Sequence, residues 1–280
     1  MDILETRTTT ISLVSSEPLQ SVLTERRALF LRGAARSAVV CAAVLFSLWY
    51  ADFFHLERYI QGAGAVFQIM VREGLPPDFT RIAQWGKPLL DTLAMSIGGT
   101  ALCIVFSFFL GFLAARNTSP HPMIYLGARM FLNFMRAVPE LILGIIFLAA
   151  VGLGILPGVL ALGFHSIGMV GKFFAEAIEH VDRAPVEAVE ACGGSRSQVL
   201  VHGVLPQVLP QMADVSFYRW EYNFRASTVM GMVGAGGIGF QLISSLNLMD
   251  YRQVTALLII ILGCVTLVDE LSALMRRRFK

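Results

Sequence analysis

Charge is what this 280-residue sequence has least of: 15% of its residues are Asp, Glu, Lys or Arg, against 55% that are apolar. Water-soluble domains carry about 25% charged and about 45–50% apolar residues. The shortfall excludes an ordinary soluble enzyme and a disordered chain alike. Cysteine is sparse and scattered: Cys41, Cys103, Cys192 and Cys264 make no C-x-x-C pair and no Cys/His spacing, which excludes a zinc site and a disulfide framework. They read as small apolar residues. Lysine is rarer still, with only Lys87, Lys172 and Lys280 among 22 basic residues, and a formal net charge of +2 is too small and dispersed for nucleic-acid binding. No G-x-x-x-x-G-K-[ST] loop occurs, so the sequence carries no phosphate-cradling nucleotide loop of that kind and reads as needing no cofactor of its own. No metal-ligand set or catalytic group stands out, so the chain is not read as an enzyme. What is present in excess is uncharged sequence, and the solvent for most of it is lipid.

A membrane-spanning helix needs about 20 mostly apolar residues. Residues 37–51 and 92–115 are uncharged and give spans at 36–55 and 89–115. The 31 uncharged residues of 141–171 are too many for one span and too few for two. Gly152, Gly154, Pro157 and Gly158 break them, which predicts spans at 130–154 and 157–180, each borrowing charged residues: Arg136 and Glu140 as an i,i+4 pair on one, Lys172 and Glu176 on the other. A fifth crossing lies between Pro210 and Met249, and a sixth at 253–275. The expectation is an all-α polytopic membrane protein of six helices, with residues 1–35 a polar N-terminal segment and 36–280 the membrane domain.

Orientation follows from Lys and Arg in the flanks of the spans. Arg26, Arg27, Arg32 and Arg36 precede the first span, Arg116 and Arg129 follow the second, and Arg276, Arg277, Arg278 and Lys280 end the chain. Six spans place all three groups in the cytoplasm, N-in and C-in. The 56–88 loop then falls outside despite Arg58, Arg72, Arg81 and Lys87.

The cytoplasmic segment 181–210 carries Glu187-Ala188-Val189-Glu190-Ala191-Cys192-Gly193 and, further on, Val204-Leu205-Pro206. Pro185 near a first turn and early Glu187 and Glu190 suit a short helix. Gly193-Gly194 ends it, and a second short helix runs from Ser195 to Leu205. The pattern E-A-x-x-x-x-G followed by L-P resembles the coupling loop of ABC importer permeases. Further segments narrow the likeness: Pro76-Pro77-Asp78-Phe79, Gly99-Thr100, Ala114-Ala115-Arg116-Asn117, Arg136-Ala137-Val138-Pro139-Glu140, His165 to Lys172, Glu221-Tyr222-Asn223-Phe224-Arg225 and Val233-Gly234-Ala235-Gly236-Gly237-Ile238-Gly239. Over about residues 70–275 the chain resembles the permeases of phosphonate/phosphite ABC importers, of MetI-like type I fold. Val189 replaces the second Ala of the E-A-A core, and Gly203 stands where Ile is common. The first 36 residues carry no part of the likeness.

The resemblance implies a bacterial inner-membrane permease that pairs with a second copy of itself. It also implies two cytoplasmic ABC ATPase subunits and an extracytoplasmic substrate-binding protein as partners. Coupling would run through residues 183–206, with Arg183, Glu187, Ala188, Glu190, Gly193, Gly194, Leu205 and Pro206 at the contact. A permease for methionine or another small solute is the alternative.

Hydropathy sets the fifth span at 226–249; the resemblance sets it at 211–234. The second register is preferred, because five glycines between 231 and 239 make a poor lipid-facing helix. It places Asp214, Tyr218, Glu221 and Arg225 inside the membrane at steps of four, three and four, on one helix face. Charges there face a cavity or one another, and Arg225 is the expected lining of a pathway for a small oxyanion, with Glu221 holding it. Arg219 lies off that face, and His165 reads as a packing hydrogen-bonder. Gly231, Gly234, Gly236, Gly237 and Gly239 read as a gate or close helix crossing, or simply as the end of the helix.

Overall fold

A computed structural model describes residues 17–278, so the first sixteen residues of the expected N-terminal segment, and Lys280, lie outside the described residues. The described residues form helices joined by turns, with no strand among them. The chain divides into two compact units, Met1–Val66 and Phe67–Lys280.

In the first unit α1 (Glu17–Tyr50) is one helix of 34 residues, about 51 Å at a rise of 1.5 Å per residue. The polar segment expected before residue 36 is thus, from Glu17 onward, the beginning of the same helix. Ala, Leu and Arg dominate there, and the lone Gly33 is too little to break it. Only Leu29–Tyr50 is apolar enough to cross a membrane. The chain turns at Asp52, whose φ of 57° permits the Phe53 N–H to donate back to Leu48 O at 2.9 Å. Arg58 closes the turn by donating to the Asp52 carboxylate at 2.7 Å. There α2 (Leu56–Phe67) begins, with Tyr59, Ile60, Ala63 and Val66 along one side and Glu57, Arg58 and Gln61 opposite.

The second unit opens with a π-helical turn, Gln68–Glu73. Next the Pro76-Pro77-Asp78-Phe79 segment is pinned from two sides. Its Asp78 N–H donates to Arg252 O at 3.2 Å, and the Asp78 carboxylate accepts from Thr80 N–H at 2.8 Å. The hydrogen bonds from Thr80 hold the Asp78 carboxyl below the usual carboxylate range. Helix α3 (Ile82–Ala114) follows, then α4 (Pro122–Ala137), α5 (Glu140–Val151) and α6 (Ile155–Glu179). After these come α7 (Arg183–Ala191), the single turn α8 (Arg196–Gln198), α9 (Leu205–Met230), α10 (Gly237–Asn247) and α11 (Tyr251–Arg277).

The centre of this unit is the α3–α6 pair. Without water between them, helices in lipid associate by close packing, which favours small residues at the seam. Gly99, Cys103, Ser107 and Gly111 recur every four residues along α3 and are all buried. A Cβ on Gly99 would lie 3.0 Å from Leu162 Cβ, and one on Gly111 2.9 Å from Phe174 Cβ. Three apolar patches lie along the bundle. One holds Cys103, Phe174, Ile178, Val204, Val208 and Met212; the next Met95, Leu162, Ala226 and Met230; the third Trp85, Ile238, Ala256 and Leu257. The first patch includes the beginning of α9 and marks the end of the bundle that carries α7.

Among the described residues four helices are long and apolar enough to cross a membrane, or up to six crossings if each of two bent pairs is one span. The third span expected at 130–154 is one of these pairs: α4 and α5 meet at an 88° bend. Proline disfavours α geometry in the residue before it, and Val138, just before Pro139, is extended at φ −85°, ψ 119°. The break also undoes the i,i+4 pairing expected of Arg136 and Glu140, since no single helix joins them. Glu140 turns instead to Tyr222 and His165. The other pair holds the fifth crossing: the helix through α9 reaches Ala235 by a π-helical turn and bends 59° into α10. Residues 226–249 are therefore not one straight helix.

The seam between α4 and α6 gives a direct test of this packing. A Cβ on Gly168 would lie 2.6 Å from both Arg136 N and Leu132 O, whereas one on Gly127 meets nothing within 4 Å. Gly168→Val is expected to cost about 1–3 kcal/mol by overpacking and to lower Tm in detergent. Gly127→Ala should leave Tm unchanged or slightly raised; equal behaviour of the two variants contradicts the packing.

Candidate functional site: a coupling segment and a charged helix face

The segment after α6 folds as local chemistry dictates. Asp182 caps α7, its carboxylate accepting from Ala184 N–H at 3.1 Å. The helix ends where Gly193 takes φ +80°, a conformation open to glycine at no steric cost, and Gly194 N–H returns to Val189 O at 3.1 Å. Ser195 and Gln198 form a capping box for α8. Glu187, Ala188, Glu190 and Arg183 all lie on this short exposed helix, with Gly193 and Gly194 at its end. Leu205 and Pro206 do not join them, because they open α9 instead.

The second short helix expected from Ser195 to Leu205 is one turn of α-helix followed by a π-helical stretch, Val199–Val204, that passes directly into α9. Proline lacks the N–H that an α-helix interior needs but is tolerated in the first turn, and the wide turn ahead of Pro206 gives it that position. Gly203, the unexpected residue before L-P, is buried because α7 crosses there: its Cβ would lie 3.1 Å from Val186 Cα. Gln207 fastens the crossing. Its side-chain carbonyl accepts from Asp182 N–H at 3.0 Å, and its amide donates to Asp182 O at 3.2 Å and Gly203 O at 2.6 Å. Nothing in spacing or hydropathy marks this glutamine.

Farther along α9 lies a buried polar chain. Arg219 Nε donates to Ser166 Oγ at 2.7 Å, Ser166 donates to Asn223 Oδ1 at 3.1 Å, and Asn223 Nδ2 donates to Thr100 Oγ1 at 2.9 Å. Thr100 in turn donates to Ser96 O at 2.7 Å. The chain joins α9, α6 and α3 between the first two apolar patches. Arg219 is 2% exposed, and its guanidinium lies 4.2 Å over the Tyr222 ring. Tyr222 O–H donates to both Glu140 oxygens at 3.3 Å. His165 Nδ1–H donates to Val138 O at 3.0 Å, and its Nε2 is 4.0 Å from Glu140. His165 thus braces the open carbonyl at the α4–α5 bend, while Lys172 pairs with Glu176 at 3.6 Å.

The stripe of Asp214, Tyr218, Glu221 and Arg225 lies on the other side of α9. Tyr218 is 44% exposed. Arg225 Nη2 donates to Glu221 Oε1 at 2.9 Å and its Nη1 to both oxygens of Asp269 on α11, at 2.9 and 3.1 Å. Arg276 Nη2 reaches Glu221 Oε2 at 3.4 Å. Two arginines and two carboxylates make a neutral cluster between α9 and α11. Asp269 and Arg276 sit at the end of the last apolar run, where charge reads as the edge of a span. No ion pair is formed by Asp214 among the described residues.

The five glycines are brought together at the bend after α9. Gly234, Gly236 and Gly237 have φ of +123°, +82° and +73°, so the helix ends there. Side chains on Gly231 and Gly239 would strike Gly236 O and Thr228 O, and one on Gly237 the Thr92 hydroxyl. The stretch thus ends the helix, folds back on itself at Gly231 and Gly239, and lies against α3 at Gly237. Ile238 N–H donates to Thr92 Oγ1 at 2.8 Å, which anchors α10 to α3.

Removing Asn223 tests the polar chain. Asn223→Ala leaves Ser166 and Thr100 short of a buried partner and is expected to cost about 1–3 kcal/mol, read as a lower Tm. Gln207→Ala, at the half-buried crossing, is expected to lower Tm much less while loosening α7, read as faster amide exchange in residues 183–191. Unchanged exchange there contradicts the fastening role.

Comparison with known proteins accords with these features. The sequence model of the family described as "Binding-protein-dependent transport system inner membrane component" matches residues 107–280. The phosphite transport system permease protein PtxC of Stutzerimonas stutzeri is 56% identical over 94% of this chain and 98% of its own length. The phosphate-import permease protein PhnE of Mycolicibacterium smegmatis is 40% identical over 84% of this chain, which spans 44% of that protein. Among solved structures, an inward-facing MetNI methionine ABC transporter matches with a TM-score of 0.62 at 18% identity, over 70% of this chain and 96% of the other, which shows a shared fold. The chain therefore belongs to the inner membrane components of binding-protein-dependent transport systems, the MetI-like permeases of ABC importers, and is a transport permease rather than an enzyme.

Proposed function

We propose that this chain is the membrane-spanning permease of an ATP-driven importer for phosphite, phosphonate or a related small phosphorus oxyanion. It works by alternating access as a pair of identical copies in the bacterial inner membrane, N-in and C-in. The observation that carries the reading is the charged, partly exposed face of α9. A charge facing hydrocarbon costs at least about 2.5–3.5 kcal/mol at mid-membrane. Arg225, whose side chain is 41% exposed, fits a water-filled pathway at a subunit boundary, with Asp214, Tyr218 and Glu221 along the same wall. The 56% identity to a phosphite permease over 94% of the chain supports the substrate class. A methionine permease would share the fold, but an exposed arginine suits an anion.

The partners are a second permease, two cytoplasmic ATPase subunits that bind ATP and Mg, and an extracytoplasmic binding protein. Helix α7 lies in a groove of each ATPase subunit, with Arg183, Glu187, Ala188 and Glu190 on it and Gly193-Gly194 shaping its end. When the ATPase pair closes, each α7 moves inward. Gln207 and the close contact of Val186 with Gly203 pass that displacement to the start of α9, at Leu205 and Pro206. The π-helical stretch 199–204 acts as the compliant turn in this linkage. Above it, the Arg219–Thr100 chain makes α9, α3 and α6 move as one body, and the glycine bend from Gly231 to Gly239 absorbs the change as the outer gate.

Damage at α7 tests the reading. Gly193→Val forces a branched side chain into positive φ, at about 1–2 kcal/mol, and Glu187→Lys reverses a charge on the docking surface. Each is expected to cut phosphite transported per ATP hydrolysed at least tenfold in proteoliposomes holding the whole complex. Wild-type coupling in both variants overturns the docking assignment.

A further inference from the structure

The four charges between α9 and α11 are not equivalent. Glu221 is 13% exposed and held twice, by Arg225 on its own helix and by Arg276 from α11. Asp269 is 40% exposed and held once, by the Nη1 arm of Arg225. Arg225 therefore has one arm fixed within the bundle and one arm on a carboxylate that faces open space. Through that arm it donates to both oxygens of Asp269, at 2.9 and 3.1 Å. A guanidinium offers the same hydrogen-bonding geometry to a carboxylate and to a phosphate-type oxyanion. Arg219 offers no comparable site on the open face, being 2% exposed, with Nε on Ser166 and Nη1 on the Met169 sulfur.

We propose that Asp269 is an exchangeable occupant of an oxyanion site on Arg225, and that the transported anion displaces it. The proposal rests on the pathway reading above and adds to it the residue that makes the site release its cargo. A site on a transport route must bind an anion and let it go. With Asp269 on Arg225 the cluster is neutral, two arginines against two carboxylates. When the anion takes the Nη1 arm, the carboxylate turns into the open space; when it returns, the anion leaves and no guanidinium is stranded unpaired, which would be costly in a low-dielectric setting. Glu221 and Arg276 keep Arg225 in place through both states.

The test is a binding series on the purified permease–ATPase complex in nanodiscs, without binding protein, titrated with inorganic phosphite and read by phosphorus NMR line broadening. Asp269→Asn removes the competing charge at nearly constant shape and is expected to bind phosphite at least tenfold more tightly than wild type. Asp269→Glu restores a carboxylate and is expected to bind as weakly as wild type. The double variant Arg225→Gln/Asp269→Asn should show no binding. Elution of each complex at the wild-type position on gel filtration, with unchanged Tm, establishes that it is assembled. If the intact Asp269→Asn complex binds no more tightly than wild type while Arg225→Gln abolishes uptake, the exchange is overturned and the pathway reading stands. Normal phosphite uptake by Arg225→Gln overturns both.

Discussion

One buried chain of hydrogen bonds organises the second unit: Arg219 to Ser166, Ser166 to Asn223, Asn223 to Thr100. Apolar packing between helices is weakly directional, and in lipid it lacks the drive to exclude water that assembles a soluble core. Polar partners set the register. A slide or turn of α9 against α3 or α6 would leave buried donors and acceptors unpaired, at about 1–3 kcal/mol each. The chain also fixes which face of α9 meets α11, because Arg219 and Asn223 point toward α6 and α3, and Glu221 and Arg225 are thereby turned toward Asp269 and Arg276.

That division gives one helix two tasks. Its inward side is welded to the small-residue seam of α3 and α6. Its outward side carries a charge cluster shared with α11. Its beginning is clamped to α7 by Gln207 and by the space left at Gly203. In the proposed mechanism a push on α7 is therefore not lost in a loop: it arrives at α9, and through the polar chain at the bundle. The glycine bend at the far end is where the helix stops, since Gly234, Gly236 and Gly237 adopt conformations that other residues rarely take; in the proposed mechanism it is also where the helix yields.

The sequence made the helical class and the long uncharged spans plain, because lipid enforces them over 20 or so residues at a time. Gly193-Gly194 was equally readable as the end of α7, since a positive φ there is a local demand. Pro139 stands inside the expected third span, and hydropathy does not register its backbone effect: Val138 leaves α geometry and the span is two helices at 88°. Pro206 misled in the opposite sense, marking the first turn of α9 rather than the end of a short helix. What stayed hidden is tertiary. Arg219 and Ser166 are 53 positions apart and Arg225 and Asp269 are 44; no periodicity announces such pairs. Gln207 is a single glutamine between apolar neighbours, Pro206 and Val208, and only the fold reveals what it holds.

The central claim is that this permease moves a small phosphorus oxyanion under the control of ATP. Its most direct test is the accumulation of phosphite in proteoliposomes holding the permease, its ATPase and its binding protein, with methionine as the rival solute. The account predicts phosphite concentrated inside against its gradient, only with ATP and binding protein present, displaced by phosphonate and indifferent to methionine. Accumulation of methionine in place of phosphite, or phosphite equilibrating freely without ATP, would contradict it.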